Sequence, residues 1–550
     1  MSHPAGPRTG RPSTRADRGM VATPHVLASG AGLDALRRGG SAADAAIAAN
    51  AVLCVAYPHM AGLGGDAFAL VHRPGSAVEA LDASGPAAAL ATRERYAEQG
   101  YTDAIPSRGG AAALTVPGAV DGWRQLHERH GRLDWIELFG DAVHLARHGV
   151  PVSRSLAEWL PQDVPVLSQD AAAARVFLPD GRAPREGDRL VNSDLADTFD
   201  ALAREGARKG FYEGAPAERL CAGLTGSPLR PDDLGGYSAS WVQPISTTYR
   251  GLRVYQMPPA TQGFAALEVL NLLAGWDVAG WGDLSADYVH HAAEAVKLAF
   301  ADRDSWLTDA DHHDIPVERL VSKAYADERR GHVSGESAMD MGSVDSGVPG
   351  GWTGPRTAAE GDTVYLCAVD DDGLTVSLIQ SIYHDFGAGV VAEGTGVLLQ
   401  NRGSFFSLDD THPNRLEPGK RTAHTLIPAL VLQQDGSPFA VLGTMGGEGQ
   451  PQTQAALLTR LVDFGYDVQQ AIEAPRWLMG RTWGAESQDL WLEGRIPDPV
   501  VTELERRGQP VAMLPDWDDN VGHAQAIRIH PDGCLEGGAD PRGDGAALGF

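Results

Sequence analysis

The chain changes character abruptly at residue 361. From 331 to 360 the sequence GHVSGESAMDMGSVDSGVPGGWTGPRTAAE is rich in Gly and Ser and carries two prolines. It follows neither a helical nor a strand period, the pattern of a mobile linker. Directly after it come Gly361-Asp362-Thr363, the run VYLCAV, the turn Asp370-Asp371-Asp372-Gly373 and the run LTVSLIQSI. Two β-rich runs about a Gly-ended turn predict a hairpin. Thr363 is therefore expected to open a buried strand immediately behind a loose tether.

That placement bears on chemistry. A threonine hydroxyl is a weak nucleophile until a neighbouring base takes its proton. Scission between Asp362 and Thr363 would free an α-amino group with a reference pKa of about 8, able to act as base for its own hydroxyl. An ordinary strand-opening threonine is the competing reading. The surroundings add weight to the first. Ser381 falls on the partner strand of the hairpin, where its hydroxyl can approach Thr363. Downstream, Gly446 and Gly447 follow the apolar run FAVLG within Gly443–Gly449. Glycines there leave backbone N–H groups unobstructed, and two such donors make an oxyanion hole; a tight turn is the alternative.

Elsewhere the organisation is that of an ordinary globular chain. Helices are predicted across Leu33 to Cys54 with a break at Gly39-Gly40, and around Ala119–His130, Leu195–Glu205 and Tyr288–Asp304. Residues 1–18, rich in Pro, Gly, Ser and Arg, read as a disordered tail, so order is expected from Gly19. Scission before Thr363 would leave residues 19–362, including the linker 331–360, as a large segment and 363–550 as a small one. The net charge of −27, from 72 acidic against 45 basic residues, argues against nucleic-acid or anionic-membrane partners. No apolar run has signal-peptide or membrane-span length, and four widely spaced cysteines form no framework. A cytoplasmic location is expected.

Several other motifs carry little. His127-Glu128-Arg129-His130 is one residue short of a zinc-protease HExxH, and His312-His313 amid Asp309, Asp311 and Asp314 reads as a charged loop. Gly443–Gly449 lacks the Lys-Ser/Thr of a phosphate loop, and no GxSxG elbow is present. No metal or cofactor is expected.

The order Asp-Thr, hairpin, Phe386-Gly387-Ala388-Gly389, GTGVLLQN, PGKR, Gly443–Gly449 and Asp540-Pro541-Arg542 resembles the γ-glutamyltransferase family of N-terminal-nucleophile hydrolases. GGSAADAAIAAN, GLGGDAF, TVPGAVDGW, GFYEG and MPPATQG match in the first half, and the likeness runs from about Gly19 to Phe550. The resemblance implies an α+β fold, the four-layer αββα sandwich, and a precursor whose two fragments stay associated. It makes Thr363 both cleavage residue and nucleophile, Ser381 its supporting hydroxyl, and Gly446 and Gly447 the oxyanion pair. His424 and Thr425 fall where the family has two serines on the substrate carboxylate.

The pattern also departs. Family members that process glutathione hold the glutamyl ammonium and carboxylate with an Arg, an Asn, a Gln or Glu, and an Asp. Here Leu81–Pro86 carries no arginine, and the other three sites are Tyr383, Arg402 and Phe405. An ammonium against Phe405 would lose a charge-assisted contact. Arg402 suits a bidentate carboxylate clamp, with Tyr383 and His424 as polar neighbours. This pattern resembles the branch containing oxamate amidohydrolase. The expected activity is hydrolysis or acyl transfer on γ-glutamyl-type or small carboxylated amides, oxamate among them, with an inactive unprocessed homologue as the contrasting reading. Ser407–Pro418 is also shorter than the covering loop of lidded members.

Overall fold

The computed structural model describes residues 10–354, 361–480 and 487–550. Residues 1–9 of the expected tail and 355–360 of the expected linker lie outside the described residues.

Two seven-stranded antiparallel sheets dominate. One runs, strand beside strand, Thr14–Ala16, Leu535–Ala539, Ala524–Ile529, Pro438–Thr444, Ala429–Leu432, Leu252–Gln256 and Ile245–Tyr249. The other runs Ala546–Gly549, Met20–Thr23, Asp362–Val369, Thr375–Tyr383, Asp66–His72, Glu79–Ala83 and Ser240–Val242. Period-two alternation assigns the faces. Tyr365, Cys367 and Ile379 pack between the sheets with Phe68, Leu430, Val441 and Ile527, while Val364, Leu366, Val376 and Leu378 face a helical layer. That layer includes Val26–Arg37 and Ala42–Ala56; Gly263–Ala274, Ala286–Trp306 and Gln450–Val462 cover the opposite sheet. This is the αββα sandwich.

Local sequence explains its key pieces. Every residue of Ala42–Ala56 is buried, and the small alanines let the helix lie close to its sheet. Its start is fixed by a capping box: Ser41 Oγ accepts from Asp44 N at 3.1 Å and Asp44 Oδ2 accepts from Ser41 N at 2.8 Å. The helices expected around residues 119–130, 195–205 and 288–304 are Ala119–His130, Ser193–Ala207 and Ala286–Trp306. Each sheet holds strands from both sides of the 362–363 bond, so the two segments interleave.

Two expectations need correction. Order begins before Gly19, because Thr14–Ala16 pairs with Leu535–Ala539, Ser13 Oγ donates to Asp467 Oδ1 at 2.9 Å and Thr14 Oγ1 to Ala547 O at 2.9 Å. An edge strand needs only a backbone partner, which composition does not reveal. The stretch 331–354 is irregular, with one short 3-10 turn at Met341–Ser343, yet it is packed on the protein. Asp302 Oδ1 accepts from Ser346 Oγ at 2.6 Å and Gly347 N at 3.1 Å. Arg329 Nη2 donates to Asp345 O at 2.9 Å and Trp352 N to Ser305 O at 2.9 Å. These anchors come from residues 302, 305 and 329, ahead of the stretch they hold.

Candidate active site

The hairpin is irregular where chemistry is expected. Asp362 pairs with Tyr383 but Val364 pairs with Gln380, so Ser381 and Ile382 together face the single residue Thr363. Such a bulge bends the strand and re-aims a side chain. Thr363 is buried, and its hydroxyl has no hydrogen-bond partner among the described residues. Ser381 Oγ accepts from Tyr383 N at 2.7 Å, which helps hold Tyr383 at φ +82°, a conformation that a bulky side chain rarely adopts.

The glycine loop arrives from the other sheet. The strand Pro438–Thr444 ends, Gly446 adopts φ +118° and Gly447 φ +49°, and Gln450–Val462 continues as a helix. A Cβ on Gly361 would lie 3.4 Å from the Tyr383 ring and 3.5 Å from Gly447 Cα. The loop thus touches the backbone two residues ahead of Thr363. The Gly446 and Gly447 N–H groups donate to no group among the described residues. They sit just before a helix N-terminus, where the dipole favours negative charge.

Sequence reasoning missed what holds this loop. Gln262, in the turn before Gly263–Ala274, donates from Nε2 to Gly447 O at 3.0 Å and to Thr425 O at 2.8 Å. Arg303 Nη1 donates to Gln262 Oε1 at 3.2 Å and Arg303 Nη2 to Glu448 Oε2 at 3.0 Å. Behind Gly446, a Cβ on that residue would meet Gly522 Cα at 3.4 Å, and Met445 N donates to His523 O at 3.1 Å. Arg476 Nη1 binds Gly522 O at 2.5 Å, its Nη2 meets Asp540 Oδ2 at 2.5 Å, and Arg542 Nη1 meets Asp540 Oδ1 at 3.0 Å. The Asp540-Pro541-Arg542 motif therefore belongs to the scaffold behind the loop. The only signal for Gln262 was its place inside MPPATQG.

Arg402, Tyr383, His424 and Thr425 form one cluster, and Tyr383 pairs with Asp362 next to Thr363. The Arg402 guanidinium lies 3.9 Å over the Tyr383 ring, and its Nη2 donates to Thr425 Oγ1 at 3.4 Å. Its Nε and Nη1 have no partner among the described residues, although the side chain is 1% exposed. Burial lowers its pKa to about 10, partly offset by Tyr383 and Asp66, so it remains a cation at neutral pH. Phe405 packs 6.0 Å from the Tyr383 ring and is buried with Ala423.

Asp66 is the second residue the sequence reading passed over as functional. It opens Asp66–His72, pairs with Ser381 across the sheet, and is wholly buried. Its Oδ1 accepts from Gly85 N at 3.1 Å, Gly118 N at 3.2 Å and Gln400 Nε2 at 2.9 Å. Its Oδ2 faces His424 Nε2 at 3.4 Å. Burial raises its carboxyl to about 7 against the pull of Gln400, Arg402 and the two amides. Burial, then Arg402, pushes the His424 imidazole well below its usual value, leaving it neutral. His424 Nδ1 accepts from Leu426 N at 3.5 Å, which assigns the hydrogen to Nε2, pointing at Asp66.

A cleft of about 470 Å³ reaches Gly361 and is lined also by Arg108, Trp159, Asp163, His384 and Asp519. His384 N donates to Asn401 Oδ1 at 3.0 Å, and burial, with Arg108 and Arg402, lowers its imidazole to about 3. A larger cavity of about 680 Å³ lies between residues 341–354 and Ser487-Gln488 and touches none of the site residues. Leu81–Pro86, which lacks the expected arginine, instead supplies the Gly85 N–H to Asp66.

Comparison with known proteins shows the family. Residues 28–550 match the family model described as Gamma-glutamyltranspeptidase. The chain is 44% identical over 534 residues to the glutathione hydrolase-like YwrD proenzyme of Bacillus subtilis (strain 168), covering 96% of this chain and 98% of that protein. It is 42% identical over 540 residues to the oxamate amidohydrolase proenzyme of Klebsiella pneumoniae subsp. pneumoniae, covering 97% and 98%. Among solved structures, cephalosporin acylase from Bacillus halodurans superposes with a TM-score of 0.90 at 37% identity, covering 100% of this chain and 98% of that one.

Proposed function

The chain belongs to the gamma-glutamyltranspeptidase family, and from that premise we propose that it cuts its own backbone between Asp362 and Thr363 and then hydrolyses small amides bearing a carboxylate, with oxamate as the reference substrate. Relatives named as proenzymes support processing into two fragments, and the interleaved sheets keep those fragments together.

The observation that carries the substrate reading is Arg402: a buried cation with two N–H-bearing nitrogens that have no partner among the described residues, beside Tyr383. A buried charge without a partner is costly, and a planar guanidinium matches a carboxylate bidentately. Phe405 offers no carboxylate to a substrate ammonium. A group with a carboxylate and no ammonium suits both residues.

In the reaction, the freed Thr363 amine takes the proton of the Thr363 hydroxyl, and the oxygen attacks the amide carbon. The Gly446 and Gly447 N–H groups stabilise the oxyanion, a contribution of about 3 kcal/mol per donor. The resulting ammonium returns its proton to the leaving nitrogen, and ammonia departs from oxamate. Water then attacks the threonyl ester with the same amine as base, releasing the acid and restoring the hydroxyl. Gln262 and Arg476 act on this step by holding the loop.

A second reading, turnover of γ-glutamyl amides, is favoured by the likeness to a protein named glutathione hydrolase-like. Ammonia release from oxamate, measured beside turnover of γ-glutamyl-p-nitroanilide on the processed protein, separates the two. Faster oxamate hydrolysis is expected; predominant glutamyl turnover would overturn the assignment of Arg402 and Phe405.

A further inference from the structure

Within the carboxylate pocket, Asp66 has no part in the chemistry just described, yet it is built in with care. We propose that Asp66, together with His424, couples carboxylate binding at Arg402 to uptake of a proton, and so acts as the charge-balancing residue of the pocket. The inference rests on the reading of Arg402 as the carboxylate clamp.

The argument is one of charge count in a dry site. Among the described residues, every group that hydrogen-bonds Asp66 is uncharged: the Gly85 and Gly118 amides, Gln400 and the neutral His424. Arg402 is the cation that acts on Asp66, and Asp66 the carboxylate that acts on Arg402. The nearer neighbours of Arg402 are Tyr383 and Thr425. With the pocket empty, the pair is therefore neutral overall. The other titratable groups facing Asp66 are the Tyr212 and Tyr237 phenols, which burial holds well above their usual value. On the Arg402 side His384 stays neutral. None of these supplies a compensating positive charge near neutral pH.

An incoming carboxylate that occupies Arg402 Nε and Nη1 adds a second negative charge beside Asp66. Two carboxylates around one cation in a buried site cannot both stay ionised cheaply, so the affinity of the resident one for a proton rises. Asp66 already titrates near neutrality, so a small push completes its protonation. The proton comes from solvent and enters on Asp66 Oδ2, the oxygen left free of the Gly85, Gly118 and Gln400 donors, beside the Nε2–H of His424, and the pair titrates as one unit. Its uptake restores the charge of the empty pocket.

The test is calorimetric titration of the processed protein with oxalate at pH 7.5, in phosphate and in Tris, buffers whose ionisation heats differ widely. The difference in binding heat should correspond to uptake of half to one proton per site. Asp66→Asn should still bind oxalate but with the same heat in both buffers. Because that variant can fail to mature, a second reading uses the wild type alone: the KM for oxamate should rise several-fold to ten-fold per pH unit above about pH 8 while kcat stays level. Saturable binding with buffer-independent heat overturns the proton coupling and leaves the carboxylate site standing. No saturable heat at all overturns both.

Discussion

Gly447 stands against Gly361: a methyl group on Gly447 would lie 3.2 Å from the Gly361 carbonyl oxygen, and the Gly447 backbone holds φ +49°. A side chain there would force the Gly361 backbone to give way and would strain the positive φ. Gly447→Ala should therefore push the loop off the segment proposed to be cut, costing about 1–3 kcal/mol of strain. The expected outcome is maturation slowed about tenfold to a hundredfold, followed by a similar loss of kcat, read from a time course on denaturing gels and from ammonia release. Normal maturation and turnover would remove Gly447 from the oxyanion pair.

Thr363→Ala removes the hydroxyl that both proposed reactions require. A single band near 58.1 kDa and no activity are expected. Thr363→Ser keeps the hydroxyl and should still split into two fragments. N-terminal sequencing of the small fragment should begin at residue 363. In the wild type, kcat should rise with pH through about 7 to 8 and level off above that as the new amine loses its proton and becomes the base; a kcat flat across that range would assign the base elsewhere.

Much of this was legible because it was local. The hairpin follows from two β-rich runs around Asp370–Gly373, and the interrupted helix from Gly39-Gly40. Thr363, Ser381, Gly446 and Gly447 were named from motif order, and the structure gathers them at one bulge and one turn. What was not legible depends on residues far apart in sequence. Gln262 meets Gly447 across 185 positions and Asp66 meets His424 across 358; a lone Gln or Asp in a Gly-rich segment carries no period that announces such a contact. The packed stretch 331–354 is similar: its looseness in composition is real, but its anchors are Asp302 and Arg329.

Replacing Arg402 tests the pocket without touching Thr363. Arg402→Gln keeps length and hydrogen-bonding capacity but loses the charge and the fork. Loss of a charge-assisted pair costs about 2–3 kcal/mol, so kcat/KM for oxamate should fall about 30- to 200-fold, mainly through KM, with two bands still formed. Arg402→Lys should recover only part, since a point charge cannot reproduce the bidentate contact or the stacking on Tyr383. Equal activity of all three proteins would place the substrate carboxylate somewhere else.

The scaffold behind Gly446 makes a prediction about acid. Asp540 is wholly buried. Burial alone would raise its carboxyl, but Arg476 and Arg542 outweigh it and hold Asp540 well below the usual carboxylate range. A carboxyl lower in the folded than in the unfolded state contributes stability above its unfolded pKa of about 3.9, and that contribution drains away as pH falls further. Asp540→Asn leaves the buried Arg476 guanidinium without its carboxylate, while Arg542 keeps Glu493 at 2.7 Å; a broken buried pair costs about 3–5 kcal/mol. Its melting temperature should lie well below that of the wild type between pH 6 and 8, with the gap narrowing below about pH 4. Because Arg476 also holds the Gly522 carbonyl behind Gly446, the surviving folded variant should show lowered kcat with KM for oxamate unchanged. A gap that stays constant down to pH 3 would mean the Asp540 charge contributes nothing, and a raised KM with normal kcat would separate this network from the oxyanion loop.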